Sequence, residues 1–146
     1  MELATKAFGQ VEINPVNITK FPSGLYGFDD STEFVIIEDK EQAPFYWMQS
    51  VKNKDLAFVL IRPEVFLKYP YVPDISASDM ELLSIRNISE CSIYVIVTIP
   101  EKEPEKMTAN LQGPILINEE KKIGRQVISN NDMHSVRVLI LEQLEG

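Results

Sequence analysis

The sequence predicts a mostly β protein, a small barrel-like or sandwich domain of about eight or nine strands with one or two short helices. Three observations carry this. β-Branched and aromatic residues gather in short runs separated by turn formers. Three of these runs, EFVIIE (33–38), FYWMQSV (45–51) and LAFVLI (56–61), are apolar without strict alternation. Strands covered on both faces, or curled into a closed sheet, have that pattern. No repeat, low-complexity stretch or linker divides the 146 residues, a length that suits a single domain, 1–146. A chain of this length buries roughly 70% of its unfolded surface, so it needs no disulfide or metal to hold a core.

The elements follow in order. FGQVEI (8–13) is the first candidate strand, ended by Asn14-Pro15. ITKF (18–21) is a second candidate, stopped by Pro22-Ser23-Gly24. GLYGFDD (24–30), with two glycines and two aspartates, reads as a loop. EFVIIE follows, then the breaker Ala43-Pro44, then FYWMQSV and LAFVLI. Pro63 suits the first position of a single helical turn in PEVFLKY (63–69). Pro70, Pro73 and Asp74 mark a loop. Ser78-Asp79-Met80-Glu81 matches a capping box and predicts a helix with Met80, Leu83 and Ile88 facing inward.

CSIYVIVTI (91–99) is the strongest strand and is expected at the centre of the sheet. PEKEPEK (100–106) reads as a charged loop. ILIN (115–118) and IGRQVI (123–128) flank residues 119–122 as a hairpin. VRVLIL (136–141) is a last apolar run. Between these lies MTANLQGP (107–114). Pro114 has no N–H, so it belongs at a strand start or edge, and the chain must turn through residues 108–113 to reach it. Asn110 and Gln112 carry both donors and acceptors. They can satisfy that turn from within, or they can meet a partner.

The charge narrows the function. Fourteen basic and 22 acidic residues leave −8. That excess repels phosphate backbones and anionic lipid, so neither nucleic acid nor membrane is expected as a direct partner. A basic protein is attracted instead, and less so in salt. Asp29, Asp30, Glu33, Glu38, Asp39 and Glu41 are opposed locally only by Lys40, and they form the candidate surface for such a partner. One cysteine excludes an internal disulfide. With no signal-peptide pattern and no apolar stretch near the roughly 20 residues that span a bilayer, the expected location is the cytoplasm.

No catalytic machinery is legible. The lone His134 is expected to be an exposed loop residue. Cys91 reads as a small buried hydrophobe. Neither metal-ligand spacing, a nucleophile elbow nor a phosphate-cradling loop is present, so no metal or cofactor is expected. Phe45, Tyr46, Trp47 and Met48 read as core, with part of the strand open as contact surface.

Taken in order, GQVEI (9–13), GLYGF (24–28), EFVII (33–37), PFYWMQS (44–50), LAFVLIRPEVF (56–66), VIVTIP (95–100), TANLQGPILIN (108–118) and GRQVI (124–128) resemble the FliW family of bacterial flagellar assembly factors. Gly113 stands where that family more often has alanine. The resemblance implies a small β-barrel-like protein that is not an enzyme. It implies two partners: flagellin before export, and the RNA-binding translational repressor CsrA. Free FliW holds CsrA away from flagellin message, and accumulating flagellin displaces it. On resemblance and chemistry together, Asn110, Gln112 and Gln49 are the first candidates for partner binding, followed by Phe45 and Trp47. The alternative is a barrel that binds a small ligand in its interior, lined by GLYGF and PFYWMQS. A hydrolase using a carboxylate pair is a third reading, for which the sequence singles out no pair.

Overall fold

We describe residues 1–145 of a computed structural model. Strands β1 (Glu2–Thr5) and β2 (Gly9–Glu12) form an antiparallel hairpin. The main sheet holds β3 (Thr19–Lys20), β4 (Glu33–Glu38), β5 (Tyr46–Ser50), β6 (Ala57–Ile61) and β7 (Ser92–Thr98). It continues with β8 (Thr108–Ala109), β9 (Ile115–Asn118), β10 (Ile123–Gln126) and β11 (Val138–Leu139). Its order is β11-β8-β7-β6-β5-β4-β3-β10-β9, and β9 returns to pair with β7. Seven strands, β3 to β7 with β9 and β10, therefore close into a barrel, which removes most of the free sheet edge. Every pairing is antiparallel except β3 with β10. Two short helices, α1 (Ala77–Leu82) and α2 (Ile140–Glu145), lie outside.

Closure explains the missing alternation. Along five of the seven barrel strands every second side chain does point inward: Phe34 and Ile36, Tyr46 and Met48, Phe58 and Leu60, Tyr94 and Ile96, Ile115 and Ile117. The intervening positions are also covered. Val59, Ile61, Val95, Val97 and Ala109 pack outside the barrel under Phe66, Leu67, Leu111 and Ile140. Leu116 and Ile93 pack under Leu83, Ile85 and Val127, with Met80 and Cys91 alongside. Burial pushes the Cys91 thiol up to about 11, so it stays a neutral packing group.

Several local expectations need correction. The hairpin strand β1 has no clear sequence signal, since ELAT carries only one large hydrophobe, Leu3. The helix is capped by Ser76 and not by Ser78. Ser76 Oγ accepts from the Asp79 N–H at 3.1 Å, so the cap sits two residues earlier. Met80, Leu83 and Ile88 do face the core. The helix ends without glycine because Ser84 takes φ +58° and the Ile85 N–H reaches back to the Met80 carbonyl at 3.0 Å. The last apolar run is a two-residue strand followed by α2, with only Ile140 fully inward. Its Leu139, Leu141 and Leu144 stay exposed.

Two glycines are required by close approach. A side chain on Gly24, at φ +65°, would meet the Phe28 carbonyl oxygen at 2.5 Å. Gly124 lets the fully buried Phe21 ring lie flat on β10, where an added Cβ would stand 2.5 Å from the ring. Gly124→Ala is therefore expected to cost about 1–3 kcal/mol. Urea unfolding should show a lower midpoint at unchanged slope. An unaltered midpoint would remove this ring–glycine contact from the reasons the barrel closes.

Candidate functional site

The stretch 107–114 is more than a simple turn: it holds β8 and the segment that joins it to β9. β8 and β9 both lie antiparallel along the same edge of β7. Ala109 pairs with Val97 and Ile115 pairs with Tyr94. Across that interval β7 supplies only Val95 and Ile96, while the partner strand must fit residues 110–114. Five residues therefore face two, and the surplus is thrown outward as a wide bulge.

The bulge is tied down at every point. The Asn110 N–H donates to the Ile96 carbonyl at 3.0 Å. Asn110 Oδ1 accepts from the Gln112 and Gly113 N–H groups at 3.0 and 2.9 Å. Leu111 is driven into the outer core at 1% exposure, a burial worth roughly 1.5–3 kcal/mol. Its N–H donates to the Ser135 carbonyl at 2.9 Å, and its own carbonyl accepts from the Tyr71 hydroxyl. The Gln112 carbonyl accepts from the Ser129 N–H at 2.7 Å, and Gln126 Nε2 donates to the Gly113 carbonyl at 3.2 Å. Gln126 Oε1 also accepts from Tyr26 N–H at 3.1 Å, which brings GLYGF against the same bulge.

What remains exposed around this anchored loop is an amide and an apolar margin. The Gln112 side chain is exposed and has no hydrogen-bond partner among the described residues. Met133 is 83% exposed and Val72 61%, and Tyr69 and Val136 are about half exposed. An open pocket of about 430 Å³ is lined by Tyr69, Pro70, Val72, Asn131, Met133 and His134. A rigid polar loop beside open apolar anchors is the composition of a protein-contact surface.

The comparisons with known proteins agree in one direction. The family model described as FliW protein matches residues 2–140. The chain belongs to the FliW family. A flagellar assembly factor FliW of Leptospira interrogans serovar Lai is 46% identical over 142 residues, covering 97% of this chain and 94% of that protein. A FliW of Thermoanaerobacter pseudethanolicus is 44% identical over 147 residues, covering 100% and 97%. A crystal structure of the flagellar assembly factor FliW superposes with a TM-score of 0.87 at 35% identity, covering 96% of each chain.

On this FliW barrel the sequence candidates separate into distinct environments. Gln112 is open to solvent, whereas Asn110 is half-buried and its Oδ1 is spent inside the bulge. Gln49 is 1% exposed. Its Nε2 lies 3.1–3.2 Å from the carbonyls of Ser50, Asn53, Lys54 and Leu56, pinning the loop after β5. Phe45 is half-buried against the outer core, and Trp47 packs edge-on to Phe8 with ring centres 5.4 Å apart. Neither adjoins the bulge pocket. Asn118, the third amide, is buried and joins the Leu83 carbonyl after α1 to the hairpin turn.

The acidic residues also divide. Glu33 and Glu38 end opposite ends of β4, roughly 17 Å apart. Asp29 and Asp30 lie with Glu33, which approaches Lys52 at 3.6 Å. Asp39 and Glu41 lie with Glu38, and Asp39 caps its turn through the Glu41 N–H. The acids make two groups and not one face.

His134 is the clearest departure. It is 6% exposed, its Nδ1 lies 2.7 Å from Ser129 Oγ, and its ring packs 4.7 Å from that of Tyr71. A polar NNDMHS context hid a residue buried by long-range packing. The barrel interior, the alternative ligand site, is filled by Phe21, Phe34, Met48, Leu60, Ile115 and Ile117. A cavity of about 500 Å³ sits instead at one mouth, between β2, β4 and the Tyr46, Arg62 and Tyr94 side chains. Among the described residues no three His, Cys, Asp or Glu side chains gather as a metal site, and no helix is long and apolar enough to cross a membrane.

Asn110→Ala removes an acceptor from two backbone N–H groups, and a stability loss of about 1–2 kcal/mol is expected. Asn110→Asp keeps the acceptor and should restore most of it. Thermal unfolding of both variants checks this, and an alanine variant as stable as the parent would dismiss the bulge-closing role.

Proposed function

We propose that this FliW-family chain is a cytoplasmic regulatory binding protein of flagellar assembly that transforms no substrate. It captures flagellin and, when free, sequesters a CsrA-type repressor, so that flagellin level sets repressor release. The observation that supports the reading most is the anchored 110–114 bulge, with Gln112 and the Tyr69–Val72–Met133 margin open beside it. Flagellin takes this surface through apolar anchors and backbone-pairing amides. The repressor, a cationic RNA binder, is drawn by the −8 charge, with Asp29 and Asp30 on one side and Glu38 and Glu41 on the other. The relatives are named flagellar assembly factors, which is the role extended here.

Capture by the purified chain, at low and high salt, tests both halves. The repressor should be lost as salt rises, while flagellin, held by apolar contact, should largely remain. Met133→Asp should weaken flagellin by at least about tenfold and leave repressor capture nearly unchanged. Retention of neither protein at low salt would end the proposal, and equal loss of both from Met133→Asp would end the division of surfaces.

A further inference from the structure

We infer that His134 is a proton-operated latch on the loops that carry the partner surface, an inference that rests on the binding role proposed above. Ser129 Oγ accepts from the Asp74 N–H at 3.0 Å and from the Asn131 N–H at 3.4 Å. A hydroxyl has two lone pairs and one proton. With both lone pairs engaged, the proton goes to His134 Nδ1, 2.7 Å away. Nδ1 is thus an acceptor, and the neutral ring carries its proton on Nε2.

A protonated ring would aim an Nδ1–H at an oxygen with no free lone pair. Either the ring turns away, or one backbone donor is released. Burial already holds the His134 pKa below its ordinary 6.5. The groups around it do not offset this. Tyr71, packed against the ring at a tilt of 45°, is held neutral by burial and donates its hydroxyl to the Leu111 carbonyl. Tyr69 lines the shared pocket. Asp74 meets the cluster through its backbone N–H, and Asp132 lies on the histidine's own turn. Burial lowers the pKa of the ring, and the Ser129 hydroxyl donated to Nδ1 favours the neutral form in the same direction.

The latch reaches the bulge by two routes. Ser129 holds the Gln112 carbonyl through its N–H, and Tyr71 holds the Leu111 carbonyl. Displacing the ring loosens both. Because the folded pKa lies below 6.5, the unfolded chain binds the proton more readily. Stability from this site is complete above 6.5, falls as pH drops through 6.5, and stops falling once pH is below the folded pKa.

His134 is the only histidine, so long-range ¹H–¹⁵N spectra of the full chain report it alone. The Nε2–H tautomer and a pKa below 6.5 are expected. The Gln112 and Ser129 amide signals should titrate with the ring. Ser129→Ala should raise the pKa toward 6.5. His134→Asn places an unprotonatable acceptor near the Nδ1 position and should abolish the amide titration. Flagellin affinity should fall about tenfold more in the parent than in His134→Asn between about pH 7.5 and about pH 5.5. An Nδ1–H tautomer, an unshifted pKa or equal losses in the two proteins would overturn the latch. Absence of flagellin binding at the higher pH would reject the partner role instead, and the spectra would still decide the latch.

Discussion

One edge of β7 has to serve two partners, and most of the molecule follows from that constraint. Its first half pairs with β9 to close the barrel, and its second half pairs with β8. Were residues 108–118 a continuous strand, β7 would meet it in one register. The five-for-two mismatch breaks that register, keeps both pairings, and ejects a loop over the outer face. An ejected loop in water would be mobile, with free N–H groups. Here Asn110 satisfies two of them and Leu111 plugs the outer core. The result is a stiff projection whose position is tied to the barrel's own closure.

The barrel strands were legible because burial on two faces leaves a dense apolar signature, and EFVIIE is recovered to the residue as β4. The hairpin ILIN–IGRQ was legible for the opposite reason: a polar turn between two apolar runs. What failed was long-range. Ser76 and Ser78 are both plausible caps by type, and only the helix's seat against Asn118 and Arg125 chooses between them. Arg125 binds Asp79 at 2.7 Å and Ser23 at 2.9 Å, so the helix start is placed by residues 46 and 102 positions apart from their partners. α2 carried no helical signal because VRVLIL is as apolar as a strand, and only Ile140 finds a buried place.

The candidate site was half legible. The NLQG amides were marked as chemically available, and one of them, Gln112, is open to solvent. Gln49, drawn from the same reasoning, is buried in the fold, and Asn110 is half-buried with its Oδ1 spent inside the bulge. An amide's capacity to pair with backbone is indifferent to whose backbone it is. Sequence reveals the capacity, and only burial decides between self and partner. The apolar margin at Tyr69, Val72 and Met133 had no signal because Tyr69 and Val72 sit in a proline-broken loop and Met133 in a polar one. They come together only when residues 69–74 and 129–135 are laid side by side across the bulge.

That convergence bears on how one small surface can discriminate. A flexible loop would lose its ordering entropy on each capture, at about 1–2 kcal/mol per residue fixed. The 110–114 bulge is ordered before any partner arrives, because folding has already met that cost through Leu111, Ser129 and Tyr71. At the proposed contact surface, binding energy would then go to affinity rather than to organisation. Stiffness also makes the surface answerable to its supports. A change at Ser129 or His134, neither of which needs to touch a partner, is transmitted because Gln112 has no independent position to keep.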